Sequence, residues 1–180
     1  HQEENAAKNI HASGASLVDY NRAGTALMEI VSHPCMHSAE DALAYMTSIK
    51  QIMQYGGISS CDQEKGQMRS DVNISVRPIG QKELGSKVEI KNMNSFAFIQ
   101  EAIEYEIDRQ IAVLESGGSV EQETRGYDSD RGETFVQRSK EDAHDYRYFP
   151  EPDLLPLQLS EDEIAAWRME LPELPEQRKM

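Results

Sequence analysis

The chain has 180 residues and a formal net charge of −14, with 38% hydrophobic and 28% charged residues. That balance suits a soluble globular protein with one substantial domain and the start of a second, and it excludes a disordered chain. The negative surface repels nucleic-acid backbones in bulk, so such contacts need a local basic patch or another domain; no apolar run is long enough to span a membrane.

Taken in chain order, the elements read as an α+β layout. His1 to Lys8 is polar and looks like a strand end or loop. Thr25 to Val31 alternates as a strand, with Leu27, Glu29 and Val31 on one face. Ser38, followed by Asp41, caps a helix running to about Tyr55. Its apolar stripe is Ala42, Tyr45, Met46, Ile49, Ile52 and Met53, and Gly56-Gly57 ends it. Two alternating runs follow, Arg69 to Arg77 and Lys87 to Asn92, separated by a turn-forming stretch with Pro78, Gly80 and Gly85. Asn94 or Ser95 caps a second helix with Phe96, Ile99, Ile103, Ile107, Ile111 and Leu114 at helical spacing, stopped by Gly117-Gly118. Extended runs at 120–125 and 134–138 flank a Gly- and Asp-rich turn. Residues 142–157 form a Pro- and aromatic-rich loop, and a last helix runs from near Ser160 to Pro172. The two cysteines, Cys35 and Cys61, form no CxxC pair and read as reduced thiols. The absence of an initiator Met points to a piece of a longer protein.

The two alternating runs carry the most chemistry. Successive strand side chains point to opposite faces. Val72, Ile74, Val76, Val88 and Ile90 therefore want a core. Arg69, Asp71, Asn73, Ser75 and Arg77 share the other face with Lys87, Glu89 and Lys91. Mg²⁺ takes hard oxygen ligands, commonly one or two carboxylates completed by water and substrate phosphates. Asp71 and Glu89 suit that task, and the neighbouring cations suit phosphate. A cross-strand salt-bridge ladder on an exposed face explains the same residues. Glu3 and Glu4 cannot share a strand face, so one can reach a site while the other faces away. Glu29 is a buried ion-pair partner or a site residue. The segment from Arg138 to Asp153 mixes cations, acids and aromatics; it suits either an adenine or ribose contact or local packing. No GxGxxG, GxxxxGK[ST], GxSxG or HExxH occurs, so any nucleotide site lies on a sheet face and not at a Gly-rich loop.

These residues resemble one family, the B subunits of aspartyl/glutamyl-tRNA amidotransferases. The matching stretches are HQEENAAK, SLVDYNRAGTALMEIVSHP, GQMRSDVNISVRP, VEIKNMNSF, EYEIDRQ, ETRGYD and RSKEDAHDYRYFPEPDLLP, in the family's order and over nearly the whole chain. The resemblance implies an α+β fold, a glutamine-synthetase-like cradle built on an antiparallel sheet with helices. Residues 1–158 would be the central part of that cradle and 159–180 the start of a helical domain. It implies a cytoplasmic carbon–nitrogen ligase that uses ATP and Mg²⁺. The side-chain carboxylate of Glu-tRNA(Gln) or Asp-tRNA(Asn) is phosphorylated, and ammonia from the glutaminase, the family's A subunit, displaces the phosphate. The A and C subunits would be partners, with the tRNA held mainly by other domains. By the same resemblance Glu4, Asp71 and Glu89 are metal ligands, and Arg69, Asn73 and Lys91 contact phosphates or hold those carboxylates. Arg22 and Glu29 are secondary candidates. Arg138, Lys140, Asp145 and Arg147 complete the nucleotide or acyl-phosphate end. The family often has Asp and Gly where this chain has Asn5 and Ala7, which puts metal support at Asn5 in doubt. The alternative role is a segment that docks the glutaminase and lines an ammonia passage, without chemistry of its own.

Overall fold

The computed structural model describes residues 2–5, 7–12, 14–93, 95–139 and 155–178. They fall into two compact units, His1–Met36 and His37–Met180.

The first unit is built from two short antiparallel pairs. Strand β1 (Gln2–Glu4) pairs with β4 (Ala26–Met28), and β2 (Lys8–Ala12) pairs with β3 (Ala15–Asp19). The β2–β3 hairpin turns at Gly14, whose φ of 82° needs a residue without Cβ. The strand expected over residues 25–31 is shorter than its alternation suggested. It ends at Met28, and Glu29 lies beyond it, exposed. Asn5 closes the β1–β4 pair. Its backbone N–H donates to the Thr25 carbonyl (2.9 Å) and its side-chain amide reaches the same oxygen (3.3 Å). A carboxylate at this position has no proton for that second bond, so the amide has a structural use here.

The second unit is a four-stranded sheet with two helices, α1 (Ala39–Tyr55) and α2 (Phe96–Glu115). Ser38 caps α1 through Oγ, which accepts from the Asp41 N–H (3.1 Å), and Ser95 caps α2 in the same way from the Phe98 N–H (3.1 Å). Gly57, at φ 66°, lets the chain leave α1. The sheet order is β5 (Ser70–Ile74), β6 (Val88–Met93), β7 (Glu123–Asp128), β8 (Glu133–Ser139). The β5–β6 and β7–β8 pairs are antiparallel, but β6 and β7 run parallel. The sheet is therefore mixed and not the antiparallel one expected. The reason is the connection: α2 lies between β6 and β7, and a helical crossover returns the chain in the same direction. Beyond the sheet, α3 (Glu161–Glu170) starts at Ser160 with a capping box to Glu163, and the short α4 spans Pro175–Arg178. No described helix is long and apolar enough to cross a membrane.

The core lies between the sheet's apolar face and the helices. Val88, Ile90, Ile99 and Ala102 have no exposed surface, and the last three cluster with Ala39, Met46, Ile74, Met93 and Ile103. The expected stripe on α2 is right at Ile99 and Ile103 but wrong at its far end, where Ile111 is exposed. Glu106 and Gln110 take the buried positions instead, both at 0% exposure.

That burial is possible because every polar atom is met. Glu106 accepts from Arg109 Nε (2.9 Å) and Nη2 (2.6 Å), from Gln110 Nε2 (2.9 Å) and from Thr134 Oγ1 (2.9 Å). Arg125 on β7 donates to Thr134 Oγ1 and to the Thr134 carbonyl (2.8 Å each), and it pairs with Glu123 (2.6 Å). Gln110 accepts from the Val76 N–H (3.0 Å) beyond the end of β5. Burial pushes the Glu106 carboxyl up, but the donors from Arg109, Gln110 and Thr134 outweigh it and hold the group below its ordinary value of 4.5. Its stabilising effect is thus complete above 4.5 and lost as pH falls through the lower folded value. Removing one partner of a buried charged network costs about 3–5 kcal/mol. Glu106→Ala in the full-length protein should cost that much in denaturant unfolding, and Glu106→Gln should flatten the acid side of the stability–pH curve. An unchanged acid limb would show that the network is not what holds the sheet to α2.

Candidate functional site

The sheet's other face gathers the polar residues, and two irregularities shape it. Between the Ser70↔Met93 and Val72↔Ile90 pairs, Asp71 alone opposes both Lys91 and Asn92. This β-bulge twists the strand and re-aims the side chains beside it. Lys91 Nζ then lies 3.4 Å from Asp71 Oδ2 and 3.4 Å from Glu89 Oε1. Two carboxylates from two strands so converge on a single cationic point.

Three groups predicted from sequence, Asp71, Glu89 and Lys91, therefore do come together. Asn73 is directly opposite Glu89, exposed on the same face. Arg69 is exposed just before β5. The register continues the row from Asn73 through Glu89 to Thr124 on β7 and to the backbone of Arg138 on β8. Lys140, Asp145 and Arg147 lie outside the described residues. The backbone of Glu4 belongs to β1 in the first unit. Arg22 is exposed in the turn before β4. Arg77 bonds the Lys82 carbonyl in the β5–β6 connection, and Lys87 lies just outside β6. Neither of these cations belongs to the cluster.

Burial works against the charged form of Lys91, but the attraction of Asp71 and Glu89 outweighs it and holds the ammonium above its ordinary 10.5. Lys91 is thus cationic at neutral pH, and both carboxylates face it. The residue missed from sequence is Thr124. Its Oγ1 donates to Glu89 Oε2 (3.1 Å), so Glu89 is held through both oxygens, by Lys91 on one side and Thr124 on the other. The available signal was its alternation with Arg125 in ETRGYD, which becomes informative only once β7 is known to lie beside β6.

The donor set suits a hard cation. Two carboxylates with water and phosphate oxygens meet the demands of Mg²⁺. Among the described residues no group of three or more His, Cys, Asp or Glu side chains could hold a metal ion, so the fit is to a partly substrate-liganded ion and not to a closed protein cage.

The fold is thus an α+β unit with paired acids and a lysine on an open sheet face. Residues 1–165 match the family described as the GatB/GatE catalytic domain, and the chain belongs to that family. It is 56% identical over 178 residues to the B subunit of the aspartyl/glutamyl-tRNA(Asn/Gln) amidotransferase of Persephonella marina, covering 99% of this chain and 38% of that protein. It is 58% identical over 175 residues to the protein of the same name from Opitutus terrae (97% and 36%), and 52% over 180 residues to that of the Wolbachia of Brugia malayi (100% and 38%). The chain thus spans well under half the length of the curated relatives it matches.

The cluster is too exposed to matter much for folding. Asp71 and Lys91 side chains are 50% and 37% exposed, and such pairs contribute about 0–1 kcal/mol. Lys91→Met and Thr124→Val should therefore each change the unfolding free energy of the full-length protein by less than about 1 kcal/mol. A loss as large as that of Glu106→Ala would mark the cluster as structural.

Proposed function

We propose that this sheet face is one wall of an ATP- and Mg²⁺-dependent kinase and transamidation site acting on Glu-tRNA(Gln) or Asp-tRNA(Asn). The observation that carries the reading is the convergence of Asp71 and Glu89 on Lys91, each at 3.4 Å, in a chain whose relatives are named for tRNA-dependent amidotransfer. In the first step the substrate carboxylate attacks the γ-phosphorus; an O–P bond forms, the bond to the β-phosphate oxygen breaks, and ADP leaves. In the second, ammonia forms a C–N bond to the activated carbonyl, phosphate leaves with the C–O bond electrons, and the nitrogen sheds a proton to give the amide.

Phosphoryl transfer asks the protein for alignment and charge neutralisation more than for covalent help. Lys91 brings a fixed positive charge to the developing negative charge. Asp71 and Glu89 keep Lys91 protonated and supply hard oxygens. Thr124 fixes the Glu89 rotamer, and Asn73 offers a neutral donor beside it. Arg69 and Arg138, with Lys140 and Arg147, would neutralise the nucleotide end. Mg²⁺, when bound to these carboxylates, would screen the triphosphate. We place the domain in a cradle-like part of a cytoplasmic complex that also holds A and C subunits, with the glutaminase supplying the ammonia. The tRNA body would be gripped mainly outside this chain, in keeping with its charge of −14.

The test is made in the complete complex. Asp71→Asn should abolish ATP-dependent phosphorylation of the mischarged tRNA, by at least about a hundredfold, while glutaminase activity survives. Equal loss of both activities would favour a segment that docks the glutaminase and lines an ammonia passage.

A further inference from the structure

A second feature of the same face lies beside the charged cluster. The register Lys91↔Gly126↔Phe135 forms a row next to Glu89↔Thr124. Gly126 is buried although it has no side chain. A Cβ there would stand 2.6 Å from Phe135 Cζ, 2.9 Å from Phe135 Cε1 and 2.5 Å from Gln137 Nε2. The Phe135 ring therefore lies back across β7, on the side facing Lys91. It remains 45% exposed on a polar sheet face. Gln137 reaches the same spot because of the sheet's second bulge. Thr124 pairs with Arg138 and Arg125 with Val136, so Gln137 is the extra residue on β8.

We infer that Phe135 and Gln137, meeting over Gly126, form the seat of an adenine base. An exposed ring offers a stacking surface, and a carboxamide matches adenine with one donor and one acceptor, to N7 and the N6 amino group. The seat lies over β7, one strand spacing, about 5 Å, from the backbone of Lys91 on β6. That places a stacking surface and a charged cluster side by side on one sheet face, so a nucleotide lying across β6 and β7 could meet both. The inference rests on the phosphoryl-transfer reading of the Asp71–Lys91–Glu89 cluster. Two adenines are available to such a site, that of ATP and the terminal adenosine of the tRNA.

The experiment measures KM for ATP and for mischarged tRNA separately in the complete complex, for Phe135→Leu, Phe135→Tyr and Gln137→Ala. Loss of stacking should raise one KM about tenfold in Phe135→Leu, with kcat for glutaminase unchanged, and Phe135→Tyr should restore it. Gln137→Ala should raise the same KM and narrow the preference for ATP over GTP if the base is that of ATP. A change confined to the ATP KM assigns the seat to the nucleotide; one confined to the tRNA KM assigns it to the terminal adenosine. Both KM values unchanged in Phe135→Leu and Gln137→Ala, with Asp71→Asn still inactive in phosphorylation, would overturn the seat and leave the phosphoryl-transfer reading standing. An Asp71→Asn enzyme that still phosphorylates would remove the foundation of both. Should Phe135→Leu fail to assemble, the exposed Gln137→Ala decides alone.

Discussion

The buried Glu106 carboxylate is the group on which the second unit depends. It sits on α2 at 0% exposure and is held by Arg109, Gln110 and Thr134. An unpaired carboxylate there would be costly enough to unfold the helix from the sheet. Because the partners come from α2, β7 and β8, with Arg125 and Gln110 extending the network to Glu123 and the end of β5, one satisfied anion fixes three strands against one helix. Apolar packing of Ile90, Ile99 and Val88 supplies the bulk of the driving force. It is non-directional, whereas the network accepts only one arrangement of donors.

That arrangement positions the opposite face. Arg125 and Thr124 are neighbours on β7, so they point to opposite sides of the sheet. Arg125 turns inward to Thr134 and Glu123, and Thr124 therefore turns outward to Glu89. The same alternation on β6 buries Val88 and Ile90 and turns the half-buried Glu89 and Lys91 to the other face. A helix crossover is required to bring β7 parallel to β6, and α2 is that crossover. The element carrying the buried network thus also sets which strand lies beside the charged cluster.

How much of this could be read from sequence follows the range of each interaction. The two alternating runs around Asp71 and Glu89, and the Ser38 and Ser95 caps, depend on residues a few positions apart, and they were legible. The parallel β6–β7 pairing was not, because nothing local tells Val88–Met93 to choose Glu123–Asp128 as its second neighbour. The bulges were hidden for the same reason, as each is a mismatch in count between distant strands. Glu106 and Gln110 were passed over because helix stripes are sought among apolar residues. Their spacing from Ile99, Ala102 and Ile103 is nonetheless helical, and an acid and an amide on the core face of a helix, with Arg109 beside them, are a sign of a buried network. The site residues after Arg138 fall outside the described part of the chain, so their sequence reading stands as an expectation.

The cluster's geometry also bears on the choice between a salt-bridge ladder and a binding site, the two explanations that the alternation left open. A ladder needs charges of opposite sign facing each other across strands, and Lys91 with Asp71 meets that description. It does not need a bulge that turns a second carboxylate's lysine partner toward the first, nor a threonine on a third strand holding Glu89 by its other oxygen. Nor does it need a bulge on β8 that brings an amide and a ring together above a glycine on the same face. Exposed ion pairs contribute too little to folding for such alignment to be explained by stability. Two bulges beside one row of polar residues place side chains at the cost of ladder hydrogen bonds, and that exchange favours the binding reading we propose over a ladder.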